Sequence, residues 1–306
     1  HWLVESCYTG GNVFEGPTVD TTILRFDKKG VSNIILKKAL DFNEKTTSTV
    51  DADYFKTQNN IISIGDTSTY NLYDKLYSTK CPKLSDHFSV FQGIVTGNNP
   101  AFIFDSENEA LEKGIDKELL HPLCHGRDIA RYEVRSRERR ILYLNNNINI
   151  DHYPQTKDWL TNFKESLLSR REAKKGTIKW YSLQWPRVKS ELDLKEKIWI
   201  QRTRNENLKI RVVATLDSDA CYTSEGILNI IPVNRTVSLH YLLGILNSKL
   251  VNYLFATKLL NLAIKAEYLK QLRIPIGNDY VKILLEGLVN SILTLKKTNP
   301  QADTSE

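Results

Sequence analysis

Methionine is absent from the 306 residues, and the chain starts at His1 rather than at an initiator. From the start at His1 we expect a fragment of a longer polypeptide. Cysteine is scarce: Cys7, Cys81, Cys124 and Cys221 stand apart, with no CxxC pair. That spacing excludes a ribbon-type zinc site and a dense disulfide scaffold, and it suits a reducing, cytoplasmic setting. No apolar run approaches the roughly 18 residues that a bilayer-spanning helix needs. The first residues show no basic stretch followed by an apolar one, so no secretory signal is visible. Apolar residues make up 41% and charged residues 25%, a globular balance that excludes wholesale disorder and fibrous architectures. The length allows one large domain or two ordinary ones, with a real core.

What is present first is charge of one sign in one place. Residues 121–215 hold 21 basic and 11 acidic side chains, a net of +10, while the whole chain carries +6; the remainder is therefore at −4. A basic middle between mildly acidic ends fits a phosphate-binding surface, although a solvated face of mixed charge has the same count.

Hydrophobic patterning predicts an α+β chain, strand-rich in the middle and helical at the end. Thr21–Phe26 reads as a buried strand, Ile61–Ile64 as a short strand and Tyr70–Tyr77 as a helical turn. A connection is expected near residue 45. Glu107–Gly114 should be a short helix. Pro154–Lys175 should be one helix, with Leu160, Phe163 and Leu167 on one face and cations at its C-terminal end. Strands are expected at Ile141–Leu144, Ile198–Ile200, Ile210–Ala214, Ile227–Ile231 and Leu272–Ile276. Ser238 should cap a helix carrying Leu239, Leu242, Leu243, Leu246 and Leu250. A final helix from Asp279 to Lys297 is expected to turn Ile283, Leu284, Leu288, Ile292 and Leu295 inward.

Chemistry-bearing patterns are weak one by one. Asn99-Pro100-Ala101-Phe102 approaches the Asn-Pro-Pro-aromatic loop that holds a flipped adenine, but Ala101 stands where the second proline belongs. Upstream there is no strand followed by a glycine-rich nucleotide loop. A turn leading into a strand is the simpler reading. Asp193-Leu194-Lys195 has the D-x-K spacing of metal-dependent nucleases without a partner carboxylate. No nucleophile-elbow pattern occurs. No catalytic residue and no metal ligand is assigned.

Cationic clusters are denser. In Cys124-His125-Gly126-Arg127-Asp128-Ile129-Ala130-Arg131-Tyr132 a tight turn can present Arg127 and Arg131 to phosphate, while Asp128 can cap the turn. Arg135, Arg137 and Arg139 would share one face of a strand as a basic stripe. Lys179-Trp180-Tyr181-Ser182-Leu183-Gln184-Trp185-Pro186-Arg187 interleaves aromatics with cations, as a domain corner or a nucleic-acid-facing loop would. Gln201, Arg202 and Arg204 follow a strand end, where such side chains can read bases or hold phosphate.

Taken in order, these segments resemble a known family. Phe91-Gln92-Gly93-Ile94-Val95-Thr96-Gly97-Asn98-Asn99-Pro100-Ala101-Phe102, then Pro122 to Tyr132, then Trp180-Tyr181 through Arg187, then Lys197-Ile198 resemble the TaqI-like C-terminal specificity domain of DNA adenine-N6 methyltransferases and restriction–modification enzymes. Leu242–Leu250 and Leu272–Ile276 are similar to later segments of that domain. Asn12–Asp27 looks like the last hairpin of a methyltransferase domain.

The resemblance implies three parts: a methyltransferase remnant and connection at 1–45, a strand-rich target-recognition domain at 46–235, and its helical C-terminal part at 236–306. It implies double-stranded DNA as partner, and a catalytic methyltransferase domain upstream in the same polypeptide. It also implies S-adenosylmethionine as that domain's cofactor, with none held by this piece. The family's cofactor loop and catalytic loop are absent here. For phosphate contact the candidates are Arg127, Arg131, Arg170, Arg171, Lys174 and Lys175; for base or groove contact, Gln184, Arg187, Arg202 and Arg204. A nuclease or other nucleic-acid enzyme with an unrecognised site, and an RNA- or protein-binding domain, remain the alternatives.

Overall fold

The structure is a computed structural model that describes residues 2–10, 21–40, 43–52, 75, 81–203, 208, 210–257 and 263–304. The fold is mixed α+β. The chain divides into two compact units, His1–Cys81 with Tyr253–Leu260, and Pro82–Asn252 with Asn261–Glu306.

The first unit holds a four-stranded sheet of β1 (Trp2–Gly10), β2 (Thr21–Asp27), β3 (Asn33–Leu40) and β4 (Asn43–Asp51), in the order β2-β1-β3-β4. Residue 45, where a connection is expected, lies inside β4, which pairs with β3 from Asn33↔Asp51 to Leu40↔Asn43. Ile34, Leu36, Val50 and Ala52 bury one face. β2 is the strand expected there, but its face is not covered. Ile23, Leu24 and Phe26 stay about half exposed, because β2 is the edge strand and pairs only with β1. The segments expected at Ile61–Ile64 and, Lys75 apart, at Tyr70–Tyr77 lie outside the described residues.

The second unit is built on two four-stranded sheets. One has β5 (Phe88–Gln92), β11 (Lys197–Gln201), β12 (Ala214–Asp217) and β14 (Ile227–Pro232), in the order β12-β11-β14-β5, all antiparallel. The other has β6 (Ile103–Phe104), β7 (Leu120–Cys124), β10 (Arg140–Leu142) and β13 (Tyr222–Thr223), in the order β13-β7-β10-β6. A short hairpin of β8 (Ile129–Ala130) and β9 (Glu133–Val134) follows β7. Strand β11 reads Lys-Ile-Trp-Ile-Gln, and its first four side chains are buried on both faces. That is why it appears in sequence as a continuous apolar run rather than an alternation.

The main core gathers Phe102, Phe104, Leu123, Leu142, Leu160 and Leu167, among others, from strands and helices alike. Each side chain of that size stabilises the fold by about 1.5–3 kcal/mol when fully buried. The expected helix 154–175 is three pieces: Pro154–Thr161, Lys164–Ser169 and Arg171–Lys174. The break at Arg170 is an extended residue, φ −60° and ψ 140°, which lets its side chain turn back into the protein. The strand expected at Ile210–Ala214 begins at Ala214, and Leu272–Ile276 contributes only a bridge from Arg273 to Lys83.

Two C-terminal helices behave differently. Ser238 caps Leu239–Leu246 by accepting from the Tyr241 N–H, and six of its eight residues are buried. Asn278, not Asp279, caps the last helix, Asp279–Thr298. Its inward residue is Val289, while Ile283, Leu284, Leu288 and Leu295, expected inside, are exposed. The helix lies on the Leu239–Leu246 helix through Leu285 and Val289, which approach Gly244, so the richer apolar stripe faces away.

Candidate nucleic-acid interface

The C-terminal ends of β5, β7 and β11 meet the turn between β13 and β14, and this meeting forms one rim. Ser224 N donates to Cys124 O (3.0 Å), Gly93 N to Ile227 O (2.9 Å) and Arg202 N to Gly226 O (2.9 Å). The His125 ring lies 2.9 Å from Ser224 Oγ through Nδ1, and Gln92 Nε2 donates to Glu225 O at 3.0 Å. Gly93 is required by this closeness: a Cβ there would stand 2.2 Å from Ser224 O, on backbone that cannot yield. Burial and the neighbouring Arg139 hold His125 below its ordinary pKa, so it is a neutral hydrogen-bonding member of the rim near neutral pH.

Arg127 sits exposed on the turn Gly126–Asp128 at this rim. The turn is made by Asp128. Its buried carboxylate accepts from the His125 N–H (2.8 Å) and from Arg139 Nη1 (2.7 Å). Asp128 is therefore the brace and Arg127 the side chain it presents. Beside them runs a groove of about 710 Å³, lined by Arg127, Arg131, Arg135, Gln201 and Lys296 among others. Arg131 is half-buried and donates from Nη2 to Asn247 O (2.6 Å), at the C-terminal end of the Leu239–Leu246 helix, where the helix dipole favours a cation.

From this rim the segment Gly93–Asn98 runs to a second cluster, at most about 18 Å away along the chain. There Arg170 is buried, and its guanidinium donates to Leu167 O (2.9 Å), Thr96 O (3.0 Å) and Trp180 O (2.6 Å). Gln184 Nε2 donates to Glu172 Oε2 (2.8 Å), and Val95 and Trp185 form a two-way backbone bridge. Gly97, at φ +73°, leaves room for both: a Cβ would stand 2.7 Å from Arg170 Cδ and from Gln184 Oε1. Arg187 donates from Nε to Gly93 O (3.0 Å). Arg170, Gln184 and Arg187, expected at phosphate or bases, are thus committed to holding the segment 93–98 in place. Arg171, Lys174 and Lys175, next to them in sequence, are exposed. Arg202 is partly exposed at the rim, and Arg204 lies outside the described residues.

The basic stripe expected from Arg135 to Arg139 does not form. Residues 135–139 are not a strand, and each arginine of the run meets a carboxylate. Arg137 pairs with Asp217 (3.3 Å) and Asp219 (3.0 Å), Arg139 with Asp128 and Asp105, Arg140 with Glu107, and Arg135 with Glu133. Asp217 is fully buried beside Lys197, 3.5 Å away, and burial raises its pKa while lowering that of Lys197. Of the run, Arg137 is the member that reaches this buried pair.

The other motifs resolve into structure. Asn98 caps Asn99–Phe102, Asn99 accepts from Thr96 Oγ1, and Phe102 is fully buried, where it cannot stack on a base. Asp193 accepts from Tyr222 OH (2.6 Å) and Lys189 Nζ (2.8 Å). Among the described residues no group of three or more His, Cys, Asp and Glu side chains could hold a metal ion, and no helix is long and apolar enough to cross a membrane. Sequence reasoning passes over Gln92; its one signal is a polar residue closing an apolar strand just before a glycine.

Residues 121–276 match the family model of the TaqI-like C-terminal specificity domain. The chain is 26% identical over 210 residues to the type II methyltransferase M.BstVI of Geobacillus stearothermophilus, a match covering 64% of this chain and 35% of that protein. It therefore spans about a third of the length of this curated relative. The structure is similar to that of the type IIL restriction–modification enzyme MmeI, solved in complex with DNA, with a TM-score of 0.59 and 13% identity over 98% of this chain and 39% of that one. At that identity the likeness is one of fold. The matched segment takes in β7, the arginine run, β11 and the turn between β13 and β14, though not the end of β5, and on it the chain belongs to the TaqI-like C-terminal specificity domain family.

Proposed function

We propose that this chain is the DNA target-recognition part of a type II restriction–modification enzyme that methylates adenine at N6. The catalytic domain and its S-adenosylmethionine would be supplied by another part of the same polypeptide. The observation that carries the reading is the rim itself: Arg127 stands exposed on its turn and Arg202 partly exposed at a strand end, on a frame that backbone hydrogen bonds hold, within a chain of the specificity family.

Arg127 and Arg131 would hold phosphates at the rim, and Arg171, Lys174 and Lys175 would do so at the far end of the segment 93–98. Arg202, with Arg204 two residues on, is the candidate for base or groove contact. A duplex reader needs such a division, because phosphate contacts set position and affinity while a few side chains at base edges set sequence. Arg170, Gln184 and Arg187 contribute by holding the scaffold.

The test is competition binding to the full-length protein. Duplex DNA carrying its site should compete at least tenfold better than single-stranded RNA of the same length. Preference for the RNA would instead support an RNA-binding domain, which reads unstacked bases.

A further inference from the structure

Three aromatic side chains stand in the segment from Lys179 to Arg187, and the fold uses two of them. Trp180 packs against the main core with Lys164 over its ring. Tyr181 is buried and donates from its OH to Ile148 O (2.9 Å). Trp185 is left 46% exposed, and among the described residues its indole has neither a ring contact nor a hydrogen bond.

The chain on both sides of that indole is tied down. Gln184 N donates to Thr96 O (3.2 Å), and its side chain donates to Glu172. Trp185 exchanges two backbone hydrogen bonds with Val95, at 2.9 and 3.2 Å. Pro186 fixes its own φ. Arg187 is held at φ +64°, a region that residues with a side chain rarely adopt, while its Nε donates to Gly93 O (3.0 Å). The loop is a rigid mount, and the exposed ring is what it carries.

Val95, opposite Trp185, lies midway along the segment that joins the rim to the Arg170 cluster. Toward the rim, Arg127 stands exposed. Toward the cluster, Gln184 is held by Glu172, whose short helix ends in the exposed Lys174 and Lys175; neither lysine has an ion pair among the described residues. Cations to either side of an exposed aromatic suit a nucleic-acid strand, with phosphates on the cations and a base against the ring. In a closed duplex the base faces are covered by their neighbours, so a ring can stack only where the duplex is opened. Adenine-N6 methylation opens it at one place, because the target adenine has to leave the stack.

Resting on the DNA-recognition reading above, we infer that Trp185 stacks on the base left unpaired when the target adenine leaves the duplex. The cations hold closed and opened duplex alike, whereas Trp185 favours the opened one.

The experiment uses the full-length protein and a duplex carrying its site, with 2-aminopurine in place of the target adenine as a fluorescent reporter of unstacking. Trp185→Ala should bind this duplex about 5- to 150-fold more weakly and give a smaller rise in fluorescence. Trp185→Phe, which keeps a ring, should retain most of both signals. Trp185→Leu, apolar but without a ring, should resemble Trp185→Ala. On a duplex that lacks the base opposite the target position, Trp185→Ala and the parent should bind alike. Thermal melting checks that each variant is folded, and where Trp185→Ala is not, the comparison of Leu with Phe decides. A full-length protein that binds single-stranded RNA in preference to duplex DNA overturns the DNA-recognition reading and this inference with it. With duplex binding intact, a Trp185→Leu variant equal to Trp185→Phe overturns this inference alone. So does a loss in Trp185→Ala that is just as large when the opposite base is missing.

Discussion

Two sets of arginines lie within fifteen residues of each other and behave oppositely. Arg135, Arg137, Arg139 and Arg140 form the densest basic run in the chain, and each is paired with a carboxylate. Arg127 has no such density around it, yet it stands exposed on a turn that the paired Arg139 helps to hold through Asp128. Charge counted along a sequence therefore overstates the charge offered to a ligand. What decides is whether carboxylates distant in sequence, here Asp105 and Asp217, return to the run. The neutralised arginines are the frame, and the sparse ones are the surface.

The sharpest break in this comparison is at Arg170, which the sequence groups with Lys174 and Lys175 and the fold buries. Arg170→Ala takes the donor from Leu167 O and Trp180 O and leaves Thr96 O with the Gln184 N–H alone; it should lower stability by about 2–4 kcal/mol, read as a fall in the urea midpoint. Lys174→Ala, on an exposed side chain, should stay within about 0.5 kcal/mol of the parent.

A smaller effect comes from a third kind of basic residue, one whose charge the fold suppresses. His121 stacks on Tyr222 at 4.3 Å, with rings 6° from parallel. Burial, with Lys189 nearby, lowers its pKa to about 4. The unfolded chain then binds a proton that the folded chain refuses between about pH 6.5 and pH 4. The contribution is fully present above that window and is lost as pH falls through it. His121→Phe, which keeps the stack and cannot titrate, should flatten the decline in thermal stability between those pH values.

The sequence announces the family and the turn that exposes Arg127 better than it announces the frame of paired arginines. The Ser238-capped helix is legible because its apolar spacing admits one buried side and its cap is local. The last helix is not, because Tyr280, Ile283, Leu284 and Leu288 on one side compete with Leu285 and Val289 on the other, and only tertiary contact with Gly244 chooses. The fate of Arg170 is equally unreadable: its partner Thr96 is 74 residues away. Arg127 is legible through its turn, since Asp128 and Gly126 are neighbours in the chain.

The most direct test of the account is the salt dependence of duplex DNA binding for Arg127→Ala and Arg137→Ala in the full-length protein. Log affinity should fall with log salt, and Arg127→Ala should make that slope shallower by about 0.9, one phosphate contact. Arg137→Ala should keep the parent slope while lowering thermal stability, since its guanidinium serves Asp217 and Asp219. A slope reduced by Arg137→Ala and untouched by Arg127→Ala would contradict the division between frame and surface.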